Sequence, residues 1–205
     1  MTSLITNLIK VFVITILLAG CSSLGGLKGT EERVEASGKM PPIISKGIWH
    51  EEEGNKKNYV GFSDQIHDLD IALRSAELEA KKHLIESIAT ELRIEGTRGQ
   101  SGFDKEAVGR FFEDSQTWLT DNVKVSGAIL LNTYWEKWGK RSSDEINYYY
   151  RGYAIVEISK ADYEKAKISG LDRLIDKAIL EKNRQAERAA RETKERLLHP
   201  GGSNE

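Results

Sequence analysis

Apolar residues recur along this chain with two different periods, and the change of period divides it into elements. After Ile66 they fall at Leu69, Leu73, Ala76, Ala80, Leu84, Ile88 and Leu92, with no Pro or Gly before Gly96. Spacing by threes and fours is one face of a long helix, for which Ser63 or Asp64 is the expected N-cap. Ala72, Ala76 and Ala80 form a small-residue stripe at spacing four, which lets another element approach the helix backbone closely. Packing of a sheet on that stripe is the favoured reading over a partner site, because periodic apolar faces are usually core. A glycine-rich loop from Thr97 to Gly102 leads to a second helix expected over Phe103 to Asn122, with Val108, Phe111, Phe112, Ser115, Trp118 and Leu119 on one side.

The period then drops to two. Val123, Val125, Ile129, Leu131, Thr133 and Trp135 alternate with polar residues, and Gly139 to Asp144 reads as a turn. Ile146, Tyr148, Tyr150, Gly152, Ala154, Val156 and Ile158 are the alternate positions of a second strand. Pairing Trp135 with Ile146 and Val125 with Val156 brings both apolar faces to one side of an antiparallel hairpin. A shorter strand candidate, Asn58 to Phe62, precedes the long helix. Ser159, with Asp162 three residues on, caps a third helix. Its apolar stripe fades after Glu181, leaving Ala186, Ala189 and Ala190. Running unbroken from Ser159 to His199 it would be about 60 Å long, against a radius of gyration near 13 Å for a domain of this size. It must project, bend near Gly170, or fray. The expected fold is α+β: an antiparallel sheet with a long central helix on one face and a projecting C-terminal helix.

The N-terminus carries a different pattern. Lys10 precedes the apolar run Val11 to Ala19, and the chain's one cysteine follows directly in Leu18-Ala19-Gly20-Cys21. A positive start, a short apolar run and small residues at the cut site make a secretory signal. The run is too short for a typical spanning helix. The ending is similar to the bacterial lipobox, which implies cleavage between Gly20 and Cys21 and acylation of the Cys21 thiol. The alternative is a plain secretory signal, which would leave an unpaired thiol in an oxidising compartment. Stable anchoring takes two membrane signals, and a diacylated or triacylated cysteine supplies them. Ser22-Ser23 after the cysteine, rather than an aspartate, implies delivery to the outer membrane by analogy with lipoprotein sorting, with the domain facing the periplasm.

The organisation expected is a signal peptide over 1–20, an acylated cysteine and flexible tether over 21–46, an α+β domain over 47–167, a C-terminal helix over 168–198 and a disordered tail over 199–205. The tether, rich in Gly and Pro and without an apolar period, would reach about 25–30 Å as a coil.

The arrangement resembles the LPP-twenty lipoprotein family, whose domain is also similar to the amino-terminal domain of the flagellar assembly protein T. The residues that carry the resemblance are Trp49, Tyr59-Val60-Gly61, the Ala72, Ala76 and Ala80 stripe, and Tyr153-Ala154-Ile155-Val156-Glu157-Ile158 followed by a helix. Members usually have a second small glycine after the first strand, where this chain has Gly61-Phe62-Ser63. The resemblance implies an envelope lipoprotein and transfers no catalytic residues.

Candidate chemistry is sparse. Cleavage after Gly20 removes Lys10 alone among the charged residues, taking the formal net charge from −2 to −3, which argues against a nucleic-acid binder. With Cys21 acylated, no thiol is left for disulfides, thiolate catalysis or zinc. His50, His67, His83 and His199 form no HExxH motif; surface histidines are the better reading, with no metal or other cofactor expected. Glu51-Glu52-Glu53 and Asp68 with Asp70 could be drawn as an acid–base carboxylate pair, but a solvated acidic turn fits them better. Gly25-Gly26-Leu27-Lys28-Gly29-Thr30 lacks the spacing of a phosphate loop, and no serine nucleophile elbow occurs.

The remaining residues of interest are aromatic. Tyr134, Trp138, Tyr149, Arg151 and Tyr153, with Leu130 and Ile155, lie on the hairpin face opposite the expected core. Tyr, Trp and Arg are typical interface anchors. The competing reading is that the long helix or the tail helix covers this face. Two functions are open: a lipid-anchored, non-enzymatic module binding another envelope protein, or an envelope lipoprotein that binds or modifies peptidoglycan or another glycan. Exposed aromatics beside acids in one concavity would favour the second.

Overall fold

The computed structural model describes residues 31–98, 104–123, 125–142 and 145–199. The signal sequence, Cys21 and the first part of the tether lie outside the described residues, as do the tail residues 200–205. The elements run β1 (Glu31–Ala36), α1 (Pro42–Ser45), β2 (His50–Glu53), β3 (Lys56–Ile66), α2 (Leu69–Thr97), α3 (Lys105–Asn122), β4 (Ile129–Arg141), β5 (Ile146–Ser159), α4 (Lys160–Leu180) and α5 (Arg184–Leu198). The strands form one antiparallel sheet in the order β1-β4-β5-β3-β2. The α+β class and the long helix on the sheet are as expected.

The contact between α2 and the sheet is made main chain to main chain. Ala72, Ala76 and Ala80 are fully buried. Opposite them lie two glycines: a Cβ on Gly61 would stand 2.0 Å from the Ala76 carbonyl oxygen, and one on Gly152 would stand 2.7 Å from that of Ala72. Small residues on both surfaces bring helix and sheet together more closely than any larger side chain would allow. The far end of α2 uses the same device: Gly96 is helical and buried, not part of a loop, and a Cβ there would enter the ring of Phe112 on α3. The main core follows, built from Leu84, Ile88 and Leu92 of α2, Val108, Phe112 and Leu119 of α3, Tyr59 and Ile158 of the sheet, and Leu171 and Leu174 of α4.

Four expectations are corrected. The long helix begins later than Ser63 or Asp64: β3 runs on through a bulge to Ile66, Gln65 takes φ 57°, and Asp68 is the N-cap, its carboxylate accepting from the Ile71 amide at 2.9 Å. The hairpin forms, but Trp135 faces Gly152, six residues from Ile146. Gly139 sits inside β4, not in a turn, because the room left by its missing side chain is filled by Val34, Ile146 and Tyr148. Since six is even, residues Asn132 to Arg141 keep their faces, but a bulge between Leu130 and Asn132 pairs Leu130 with Val156 and so moves it off the face expected to hold it with Tyr134 and Ile155. Val123 and Val125 are not strand residues; Val123 caps α3 and is buried in the core.

The third correction concerns the tail. α4 crosses the expected boundary at residue 168 unbroken, and the chain reverses at Lys182, with φ 55°, where Asn183 caps α5 through the Ala186 amide. α5 folds back onto α4, burying Ala186, Ala189, Ala190 and Thr193 completely, and so does not project. The fourth concerns the tether. From Glu31 the chain is an edge strand, and Ile43 and Ile44 of α1 are buried. The part expected to be a free linker is integral to the sheet.

Candidate functional site

The structure brings the five predicted surface residues together on one face, as cross-strand partners. Tyr134 lies opposite Tyr153, Glu136 opposite Arg151, and Trp138 opposite Tyr149. Their face is the one away from α2, as the alternation requires. It is not open. Tyr134 is 3% and Tyr149 4% exposed, and Tyr153 is partly buried. Neither helix proposed as a cover provides it. The cover is the N-terminal segment: Ile43 and Ile44, with Met40 and Ile48 beside them, pack on Val60, Tyr134 and Ile155.

Glu136 collects the polar ends of this face. Its carboxylate accepts from Tyr134 Oη at 3.0 Å and Trp138 Nε1 at 2.9 Å, and pairs with Arg33 at 2.8 Å. Burial pushes its pKa up, but these donors outweigh it and hold the carboxyl below its ordinary range. Arg151 donates to Asp64 at 2.8 Å and to Glu31 at 3.2 Å, with its guanidinium 4.2 Å from the Trp138 ring centre. Burial and a hydrogen bond to Glu31 push the Tyr149 hydroxyl up to about 12. These groups are matched to one another. Through Glu31 and Arg33 they tie β1 to the hairpin.

A second polar cluster lies on the helical side. Glu91 of α2 accepts from Tyr163 Oη at 2.8 Å and pairs with Lys57 at 3.3 Å and Lys167 at 3.1 Å. Lys57 also meets Glu52 at 2.9 Å and sits 4.0 Å from the Tyr163 ring centre, while Lys167 meets Glu164. Burial works against both lysine charges, yet their carboxylate partners raise the pKa above the ordinary value. Glu52, one of the acidic run, is drawn down to about 2 by hydrogen bonds from Lys57 and Lys160.

The third grouping was missed as a site in the sequence. Trp49, just before β2, Phe62 of β3, and Glu79 and His83 of α2 line an open cleft of about 240 Å³. β2 pairs with β3 as far as Tyr59, and the Trp49 carbonyl still accepts the Val60 amide at 2.9 Å. Beyond that point the His83 ring occupies the strand edge, with Nδ1 2.7 Å from the Val60 carbonyl oxygen. A carbonyl is purely an acceptor, so Nδ1 carries the proton and Nε2 is turned outward, 3.4 Å from Glu79 Oε1. The Trp49 ring stands edge-on to the imidazole at 5.8 Å and is 52% exposed. Trp49 was visible in the sequence as an aromatic ahead of the domain. Its meeting with His83 required the fold.

The other histidines are dispersed. His67 bonds the Tyr148 carbonyl, His50 lies on the Tyr59 ring, and His199 follows α5 beside Glu195. Among the described residues no group of three or more His, Cys, Asp or Glu could hold a metal, and no helix is long and apolar enough to cross a membrane. The chain matches no family model, no curated protein and no solved structure.

Proposed function

We propose that this protein is a lipid-anchored lipoprotein of the bacterial envelope, held at the outer membrane through acylated Cys21, whose domain acts as a non-enzymatic interaction or structural module of the LPP-twenty type. The observation that carries the reading is the apolar run Val11 to Ala19 closing on Leu18-Ala19-Gly20-Cys21. The fold adds two supports. Residues of the family resemblance meet as a unit, with Gly61 packed on Ala76 and Ala80. The charged groups of the aromatic face and of the Glu91 cluster are paired with each other, as a scaffold requires, and are not gathered in a cleft as a reaction would need.

The start of β1 at Glu31 changes the geometry of the anchor. Glu31 is ten positions after Cys21, so their Cα atoms can be no more than about 33–36 Å apart even in a fully extended chain. The domain is therefore held close to the bilayer, with β1 and the hairpin end beside it nearest the lipid. Partner binding is assigned to the surfaces left open once residues 31–48 have covered Tyr134 and Tyr149. Cys21→Ser tests the anchor: it should abolish labelling by an alkynyl fatty acid and release the protein from detergent-dependent membrane extraction. Labelling that survives the substitution refutes the lipoprotein reading.

A further inference from the structure

We propose that the cleft between Trp49, Phe62, Glu79 and His83 is a binding subsite for a single neutral sugar ring, as a free sugar or as one unit of a longer glycan. The inference rests on the geometry of these four residues and holds whether or not Cys21 is acylated. Sugar rings present two kinds of surface, apolar C–H faces and a girdle of hydroxyl groups that both donate and accept. The cleft offers both kinds of complement. Trp49 leaves half of its surface exposed although it is fixed at its backbone by the bond to Val60. Phe62 lies beside its cross-strand partner Tyr153, the two tilted rings 4.9 Å apart centre to centre. Aromatic side chains, with two χ angles each, cost little conformational entropy when a ligand seats on them.

The polar side is equally ordered. The Val60 carbonyl fixes the imidazole so that Nε2 is directed outward; it accepts from a hydroxyl in the neutral ring and donates to one in the charged ring. Glu79 Oε1, one turn away on the same helix, is an acceptor 3.4 Å from that nitrogen. Two hydrogen-bonding groups on one side of an aromatic wall match neighbouring hydroxyls of a ring seated against it. A cation would be the other occupant of an aromatic cleft with a carboxylate. It is disfavoured because Lys82 Nζ already stands 3.6 Å from Glu79 Oε1, the same oxygen that faces the imidazole, and supplies a positive charge there. The volume of about 240 Å³ is below that of drug-sized pockets and suits one ring.

The test uses the full-length protein in detergent micelles and follows the tryptophan indole N–H signals by NMR, with Trp49→Phe identifying the Trp49 resonance. The probes are methyl glycosides of glucose and of N-acetylglucosamine, and choline. A sugar should shift the Trp49 signal alone among the indoles, Trp49→Ala should remove binding detected by saturation transfer, and Glu79→Ala should weaken it at least tenfold. Glu79→Gln keeps a hydrogen-bonding group without the charge and should retain sugar binding within a few-fold. Unchanged melting of each variant shows that the loss is local. The proposal is overturned if neither sugar shifts the Trp49 signal, if choline shifts it and the sugars do not, or if sugar binding survives Trp49→Ala.

Discussion

Gly61→Ala adds one methyl group to the protein at the place where the sheet touches the long helix. The new Cβ would lie 2.0 Å from the Ala76 carbonyl oxygen and 2.2 Å from the Ala80 amide nitrogen. Real Cβ atoms essentially never come within 3.0 Å of such neighbours, so α2 must lift from the sheet by about 1 Å. Gly61 has no positive φ, so alanine fits its backbone conformation and the whole penalty comes from the contact. Overpacking a core costs about 1–3 kcal/mol when side chains can rearrange. Here both colliding groups are main chain, with no rotamer to escape into. Lifting the helix by 1 Å also forfeits roughly a quarter to a half of each dispersion contact along the Ala stripe. We expect a loss of about 3 kcal/mol or more, which for a domain of this size lowers Tm by roughly 6–12 °C. Gly152→Ala, with its nearest contact at 2.7 Å, should fall between this variant and wild type. Gly109→Ala is the control: it lies inside α3 with nothing closer than 3.9 Å, and should stabilise by about 0.5–1 kcal/mol. Thermal unfolding followed by circular dichroism reads all three. A Gly61→Ala protein melting with wild type would refute the close-packed account of this fold.

Glu91→Gln removes the shared partner of Lys57, Lys167 and Tyr163; because Glu91 is about one-third exposed and the lysines keep Glu52 and Glu164, the expected loss at neutral pH is about 1–2 kcal/mol. Its folded-state pKa is lowered, burial being outweighed by bonds from Tyr163 and Lys167, so its stabilisation is present above the ordinary carboxylate range and is lost as pH falls through the folded value. Denaturant titrations from pH 7 to pH 3 should therefore show wild type converging on Glu91→Gln in acid, and a constant gap between them would exclude the assigned linkage. Ending the chain after Leu180 uncovers the α4 surface on which Ala186, Ala189, Ala190 and Thr193 are buried; at about 25 cal/mol per Å² of apolar surface exposed, Tm should drop by several degrees, and an unchanged melt would show that α5 is not part of the core.

The sequence by itself determined the elements and the faces they present. Helical spacing from Leu69 to Leu92 specified both α2 and its buried side, because a period of 3.6 allows one contiguous apolar stripe. Alternation through β4 and β5 placed Tyr134, Trp138, Tyr149, Arg151 and Tyr153 together, and an error of six residues in register left that placement intact because the strand period is two. Ser159 with Asp162 marked the start of α4, since the cap is a local hydrogen bond between residues three apart. Tertiary structure decided what covers each face. Residues 31–48 have no apolar period long enough to announce an element, and β1 becomes a strand by pairing with β4, about a hundred residues away. The alanines of α5 look too small to form a core until α4 supplies the opposite wall. The Trp49 cleft is of the same kind: its four residues come from the segment before β2, from β3 and from α2, His83 being thirty-four positions after Trp49. Periodicity is a property of one segment, so it can reveal which side of an element is buried; the partner that buries it, and the small sites left at the seams, follow from long-range packing that no local pattern encodes.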